Sequence, residues 1–101
     1  MNEYKIIDIS AWNTGMNYSQ LKSYDIHGAI LRVTERGNIT DGMFDTHYKG
    51  IKNAGLGVYG VYKFSYALSI PEIQTEANAV VKVLKKYSDF KGVVFLDLEY
   101  D

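Results

Sequence analysis

The chain has 101 residues, 47% apolar and 23% charged, with a formal net charge of −1. That is one domain at most, able to bury a modest core, and it carries no field for gathering nucleic acid or an anionic membrane. With no cysteine there is neither a disulfide framework nor a thiolate zinc site.

In chain order, strand-like and helix-like segments alternate. YKIIDI (4–9) is short and rich in β-formers, and Asn17 is placed to cap a short helix reaching about Tyr24. GAILRV (28–33) is a second apolar strand. Asp41 is placed to cap a helix in which Phe44, Tyr48 and Ile51 recur at helical spacing, and Gly55 stands at its C′ position. VYGVYKF (58–64) is a third strand. Ser69 to Glu72, with Pro71 in the first turn, reads as a capping box. The helix it opens carries Ile73, Ala77, Val80, Val81 and Leu84 on one face and is expected to run to about Tyr87. VVFL (93–96) is the fourth strand.

The order β-α-β-α-β-α-β predicts a parallel sheet with right-handed crossovers. The strands are continuously apolar, as when both faces are covered. Two architectures fit: an open doubly wound sheet, or the first half of a (β/α)₈ barrel, since a full barrel needs about 250 residues. No apolar run approaches the ~20 residues of a membrane span. The opening MNEYKIID lacks a basic region followed by an apolar stretch, so no signal peptide is expected.

Three carboxylates mark strand ends. Asp8 closes the first strand; Asp97 and Glu99 close the fourth and, two apart, point to one face. In both architectures the C-terminal strand ends form the site face. Converging like charges separate the pKa values of such groups, leaving one protonated and another ionised. That is the arrangement glycoside hydrolysis needs, with its proton delivered to a leaving oxygen and its oxocarbenium-like transition state. A bare D-x-E is also a common solvated strand end. Strand-end carboxylates equally suit a magnesium site on an open sheet.

Other signals carry less. GLGVYG (55–60) has the dinucleotide-loop spacing, but a helix precedes it and a strand follows, the reverse of what that loop needs. Gly55 is read as a helix stop, Gly57 and Gly60 as points of close packing. His27 and His47 stand alone, without a second ligand at metal spacing. Asn17 and Asn38 open N-glycosylation patterns that matter only on a eukaryotic secretory route. The nine tyrosines are richer. Tyr62 and Tyr66 near the end of the third strand, and Trp12 after the first, suit sugar rings whose apolar faces stack on aromatics. Tyr59 is the better core residue. Arg32, late in an apolar strand, either pairs with carboxylates, holds substrate or caps the sheet edge.

The blocks IIDISAWN, AILRVTERG, the D-x-x-F-D-T-H-Y-K-G-I-K-N-A-G-L stretch (41–56), GVYKFSYAL and VVFLDLE resemble, in order and spacing, the lysozymes of glycoside hydrolase family 25, the N-acetylmuramidases of phage endolysins and bacterial autolysins. The resemblance runs from about residue 4 to the last. It implies a modified α/β barrel with an acidic groove at the C-terminal strand ends, here only the first four βα units. Residues 1–101 would be the N-terminal part of a catalytic domain nearly twice as long. It implies cleavage of the β-1,4 bond between N-acetylmuramic acid and N-acetylglucosamine at the bacterial cell wall, outside the cell or delivered by phage. By position Glu99 would be the general acid and later the base. Asp97 would orient and stabilise the participating acetamido group, and Asp8 would complete the acidic cluster. Tyr62 would line the groove, with Tyr66 and Arg32 as further substrate contacts. No metal or other cofactor is implied.

The departure from the family is length. Strands five to eight and another acidic groove residue are missing, and a half barrel leaves its first and fourth strands as open edges. The chain is therefore expected to be a fragment, or to cover those edges with a missing C-terminal half or a second copy. Against the muramidase reading stands a non-catalytic piece that binds wall glycan or assembles with a partner.

Overall fold

A computed structural model describes residues 5–98. The elements are β1 (Lys5–Ile9), α1 (Tyr18–Ser23), β2 (Ile26–Arg32), α2 (Phe44–Asn53), β3 (Gly57–Ser65), α3 (Ile70–Leu84) and β4 (Val93–Leu98). All neighbouring strands pair in parallel, in the order β1-β2-β3-β4.

That order separates the two architectures left open by the sequence. A doubly wound sheet reverses its strand order at a switch point and carries helices on both faces. Here the order is sequential, and the buried cluster joins only one set of strand residues to the helices. Ile9, Ala29, Leu31, Val33 and Val61 pack with Phe44, Tyr48 and Ile51 of α2 and Val80 and Val83 of α3. The chain is an open, partial α/β barrel, with four strands and three helices among the described residues. The opposite face, which would line a barrel, is left exposed: Ile6, Phe64 and Phe95 are 43%, 40% and 46% accessible. Among the described residues no helix is long and apolar enough to cross a membrane.

Local chemistry explains most boundaries. The Ser69 hydroxyl accepts from the Glu72 amide at 3.4 Å, and Pro71 sits in the first turn of α3. Gly55 takes φ +79° after α2, the left-handed stop that glycine makes without strain. Asn17 occupies the cap position of α1 but makes no side-chain cap bond. Two expectations shift. The buried stripe of α3 is Glu76, Val80 and Val83, while Val81 is 49% exposed and the helix ends at Leu84. At 100° per residue a stripe through 76, 80 and 83 turns 81 about 130° away from its centre, and Glu76 enters it because the end of β3 offers the carboxylate partners. Asp41 also does not cap α2 directly. Met43 holds the cap position, and Asp41 accepts from the Met43 amide just ahead of the helix while its other oxygen meets Arg32 and Ala11.

Candidate active site

The register fixes which residues share a face. Asp8 pairs with Ile30, Ile30 with Gly60 and Gly60 with Val93. One step further along, Arg32 pairs with Tyr62 and Tyr62 with Phe95, and beyond them Phe64 pairs with Asp97. Paired residues in adjacent parallel strands point the same way, so Asp8, Tyr62, Phe64, Phe95 and Asp97 project from the face opposite the helices. They line one groove of about 370 Å³ with Ile30 and Leu96. Asp8 and Asp97 reach it from the two outer strands, because the sheet twists and curls. Glu99 lies outside the described residues.

Tyr62 is the hinge between this groove and the loops above it. Burial pushes its phenol above the ordinary value, while the Arg32 charge pulls it back. The charges of Asp8 and Asp41 add to the rise, and a hydrogen bond with the Ser10 side chain opposes it. Its ring meets Phe64 edge-on, with centroids 5.6 Å apart. The tyrosine is therefore a neutral, fixed wall of the groove with its hydroxyl among polar groups.

Arg32 does not line the groove. Its Nε donates to Asp41 Oδ2 at 2.6 Å, with the Asp41 side chain fully buried. The same carboxylate accepts from the backbone amides of Ala11 at 3.0 Å and Met43 at 2.8 Å. Asp41 thus ties the β1–α1 loop and the start of α2 to the end of β2. A second tie is His47, 1% exposed, whose Nε2 lies 2.8 Å from the Ser10 carbonyl and whose Nδ1 lies 2.7 Å from the Tyr18 hydroxyl. A carbonyl only accepts, so Nε2 carries a proton. Tyr18 reaches His47 because Gly50 lacks a side chain: a Cβ there would stand 2.3 Å from the Tyr18 ring.

Tyr66, half exposed, is outside the groove as well. Its amide donates to Glu76 Oε2 at 2.9 Å, and the Arg36 guanidinium lies over its ring at 5.0 Å. Beneath it, the buried Lys63 amine donates to the Glu35 carbonyl at 3.0 Å. Desolvation lowers the Lys63 pKa, against the raising charge of Glu76. Glu76 also accepts from the Ser65 hydroxyl. Among the described residues no group of three or more histidine or carboxylate side chains is arranged to hold a metal ion.

The sequence brought Asp8, Asp97 and Tyr62 to one place, and the structure sets them there. It missed Asp41, His47 and Glu76 as organisers. His47 lies one helical turn from Phe44 and Ile51, a spacing that puts it on the buried face of α2, and this was the available signal.

The family model for glycosyl hydrolases family 25 matches residues 7–101. The chain belongs to that family. Lysozyme M1 of Streptomyces globisporus is 36% identical over 59 residues, which are 58% of this chain and 20% of that protein. The catalytic domain of an endolysin from a bacteriophage of Listeria monocytogenes superposes with a TM-score of 0.81 at 26% identity. That superposition covers 100% of this family 25 chain and 50% of the endolysin chain. The chain thus spans about half of its structural relative and a fifth of the lysozyme.

Proposed function

We propose that this chain carries the acidic half of a peptidoglycan-cleaving site acting at the bacterial cell wall, outside the cell or delivered by phage. The reaction is hydrolysis of the β-1,4 bond between N-acetylmuramic acid and N-acetylglucosamine. The observation that carries the reading is the shared groove: Asp8 from β1, Asp97 from β4 and Tyr62 from β3 face one cavity at the strand ends. In a strand that continues past Leu98, Glu99 falls on the side of Asp97. Glu99 protonates the leaving glycosidic oxygen and then activates water. Asp97 orients the 2-acetamido group, whose carbonyl oxygen attacks the anomeric carbon and gives retention. Asp8 holds negative charge beside the oxocarbenium-like transition state. Tyr62 walls the site; Arg32, on the same face but outside the groove lining, acts through Asp41 and the charge it places near Tyr62. The names of the relatives, a lysozyme and an endolysin catalytic domain, support the class of reaction.

The test is release of reducing ends from purified Gram-positive peptidoglycan, beside a Glu99→Gln control. Release that disappears in the control supports the reading. A second reading, glycan binding or assembly without cleavage, is favoured by the exposed apolar face and the half-length match to the endolysin. Under it a folded chain sediments with peptidoglycan, or elutes as a dimer with the two exposed faces joined, and releases no reducing ends.

A further inference from the structure

We infer that Trp12 is a sugar-binding platform beside the groove, stacking on the apolar face of an N-acetylhexosamine unit next to the one held at Tyr62. The inference rests on the glycan-cleaving reading and adds a subsite to it. Trp12 is 86% exposed, so its indole adds almost nothing to the fold. A lone exposed aromatic is ordinary on a protein surface. What sets this one apart is the backbone beneath it.

The β1–α1 loop is held from every side. The Trp12 amide donates to the Ser10 hydroxyl oxygen at 3.3 Å and the Asn13 amide to the Ser10 carbonyl at 3.0 Å. The Ser10 amide donates to Asn13 Oδ1 at 2.9 Å, and the Ala11 amide to the buried Asp41. His47 Nε2 donates to the Ser10 carbonyl. The loop is therefore a rigid mount for a side chain that packs on nothing. The mount adjoins the groove: it begins two residues after Asp8, which lines the cavity with Tyr62 and Asp97, and Ala11 hangs on Asp41, which holds the Arg32 that pairs in register with Tyr62. Four residues span at most about 14 Å when extended, and the turn closed by the Asn13 amide on the Ser10 carbonyl shortens that, which keeps the indole within reach of the neighbouring unit of a chain threaded past Tyr62. A preordered aromatic binds a ring without losing side-chain and loop freedom at that moment.

Trp12 is also the chain's single tryptophan, so its fluorescence reports this position alone. The experiment uses the Glu99→Gln chain titrated with a β-1,4-linked N-acetylglucosamine tetramer, with calorimetry in parallel. The expected result is a blue-shifted emission and at least twofold weaker acrylamide quenching at saturation. Trp12→Ala should weaken binding about two- to tenfold, in line with the usual strength of aromatic stacking, and Trp12→Phe should restore most of it. In the Glu99-containing chain, Trp12→Ala should raise KM for peptidoglycan by a similar factor and leave kcat within twofold. Saturation seen by calorimetry with unchanged emission and quenching overturns the platform and leaves the cleavage reading standing. No binding by calorimetry to a folded chain overturns both.

Discussion

Replacing Asp41 with asparagine removes a charge from a site with no solvent to take its place. The carboxylate is 0% exposed and accepts three bonds, from Arg32 Nε at 2.6 Å, Met43 N at 2.8 Å and Ala11 N at 3.0 Å. An amide of the same shape keeps one accepting oxygen and turns an NH₂ group toward donors. Breaking a buried ion pair costs about 3–5 kcal/mol, and a buried donor left unpaired about 1–3 kcal/mol. Arg32 keeps a 15% exposed side chain, so part of its charge is rehydrated, and a total of about 3–4 kcal/mol is expected. A domain of this size has only about 5–15 kcal/mol to lose. The urea midpoint should fall by about 1–3 M with an unchanged slope. Hydrogen exchange at Ala11 should accelerate with it, since that amide loses its acceptor. Arg32→Met with Asp41→Leu removes both charges together, and should cost less than the two single changes summed. A loss under about 1 kcal/mol for Asp41→Asn would refute the reasoning, because a buried pair cannot be broken so cheaply.

Gly28→Ala should destabilise by about 1–3 kcal/mol in the same urea assay, as overpacking does. Its Cβ would stand 2.3 Å from the Gly57 carbonyl oxygen, which is backbone and cannot swing aside. Acid should unfold the chain partly through Asp45 and Asp89. Lys49 and then Tyr87 hydrogen-bond Asp45, and Tyr48 and then Lys52 hydrogen-bond Asp89, so both carboxyls titrate below their ordinary value. The unfolded chain then binds more protons, and the stability these groups contribute is present above about pH 4 and lost as pH falls below it. Asp45→Asn with Asp89→Asn should be less stable at neutral pH and show a flatter acid limb in a series of melts.

What could be read from the sequence was whatever local chemistry writes. Four apolar runs gave four strands, Ser69 and Glu72 gave a helix start, and Gly55 gave a helix stop. Asp8 and Asp97 could be placed at strand ends because strand position fixes direction. Arg32 and Asp41 are a different case. Each was visible alone, one as an odd cation and one as a cap. Their pairing depends on a turn through Gly37 and Asn38, both at positive φ, which folds nine residues back on themselves. Glu76 and Lys63 interrupt patterns that otherwise look apolar, and a pattern read by its majority discards such residues. They are buried because Ser65, the Tyr66 amide and the Glu35 carbonyl meet them, and only the folded chain brings those partners to them.

The two faces of the sheet do different work, and this explains the position of the groove. The helix-side face is closed: Phe44, Leu31, Ile51, Val33 and Val61 are each fully buried, so four strands and three helices suffice to build that core. The other face is not closed. Ile6, Phe64, Val93 and Phe95 are exposed around the carboxylates, and contiguous apolar surface of this kind marks a face that another element covers. In an eight-stranded barrel it would meet its counterpart across the lumen, and the endolysin domain has as much chain again beyond the matched half. The buried core and the groove therefore draw on opposite sides of one sheet. Substitutions among the helix-side residues should move stability with little direct effect on the groove. Covering the open face should change the groove most, by removing water from around Asp8 and Asp97 and so strengthening every charge interaction there.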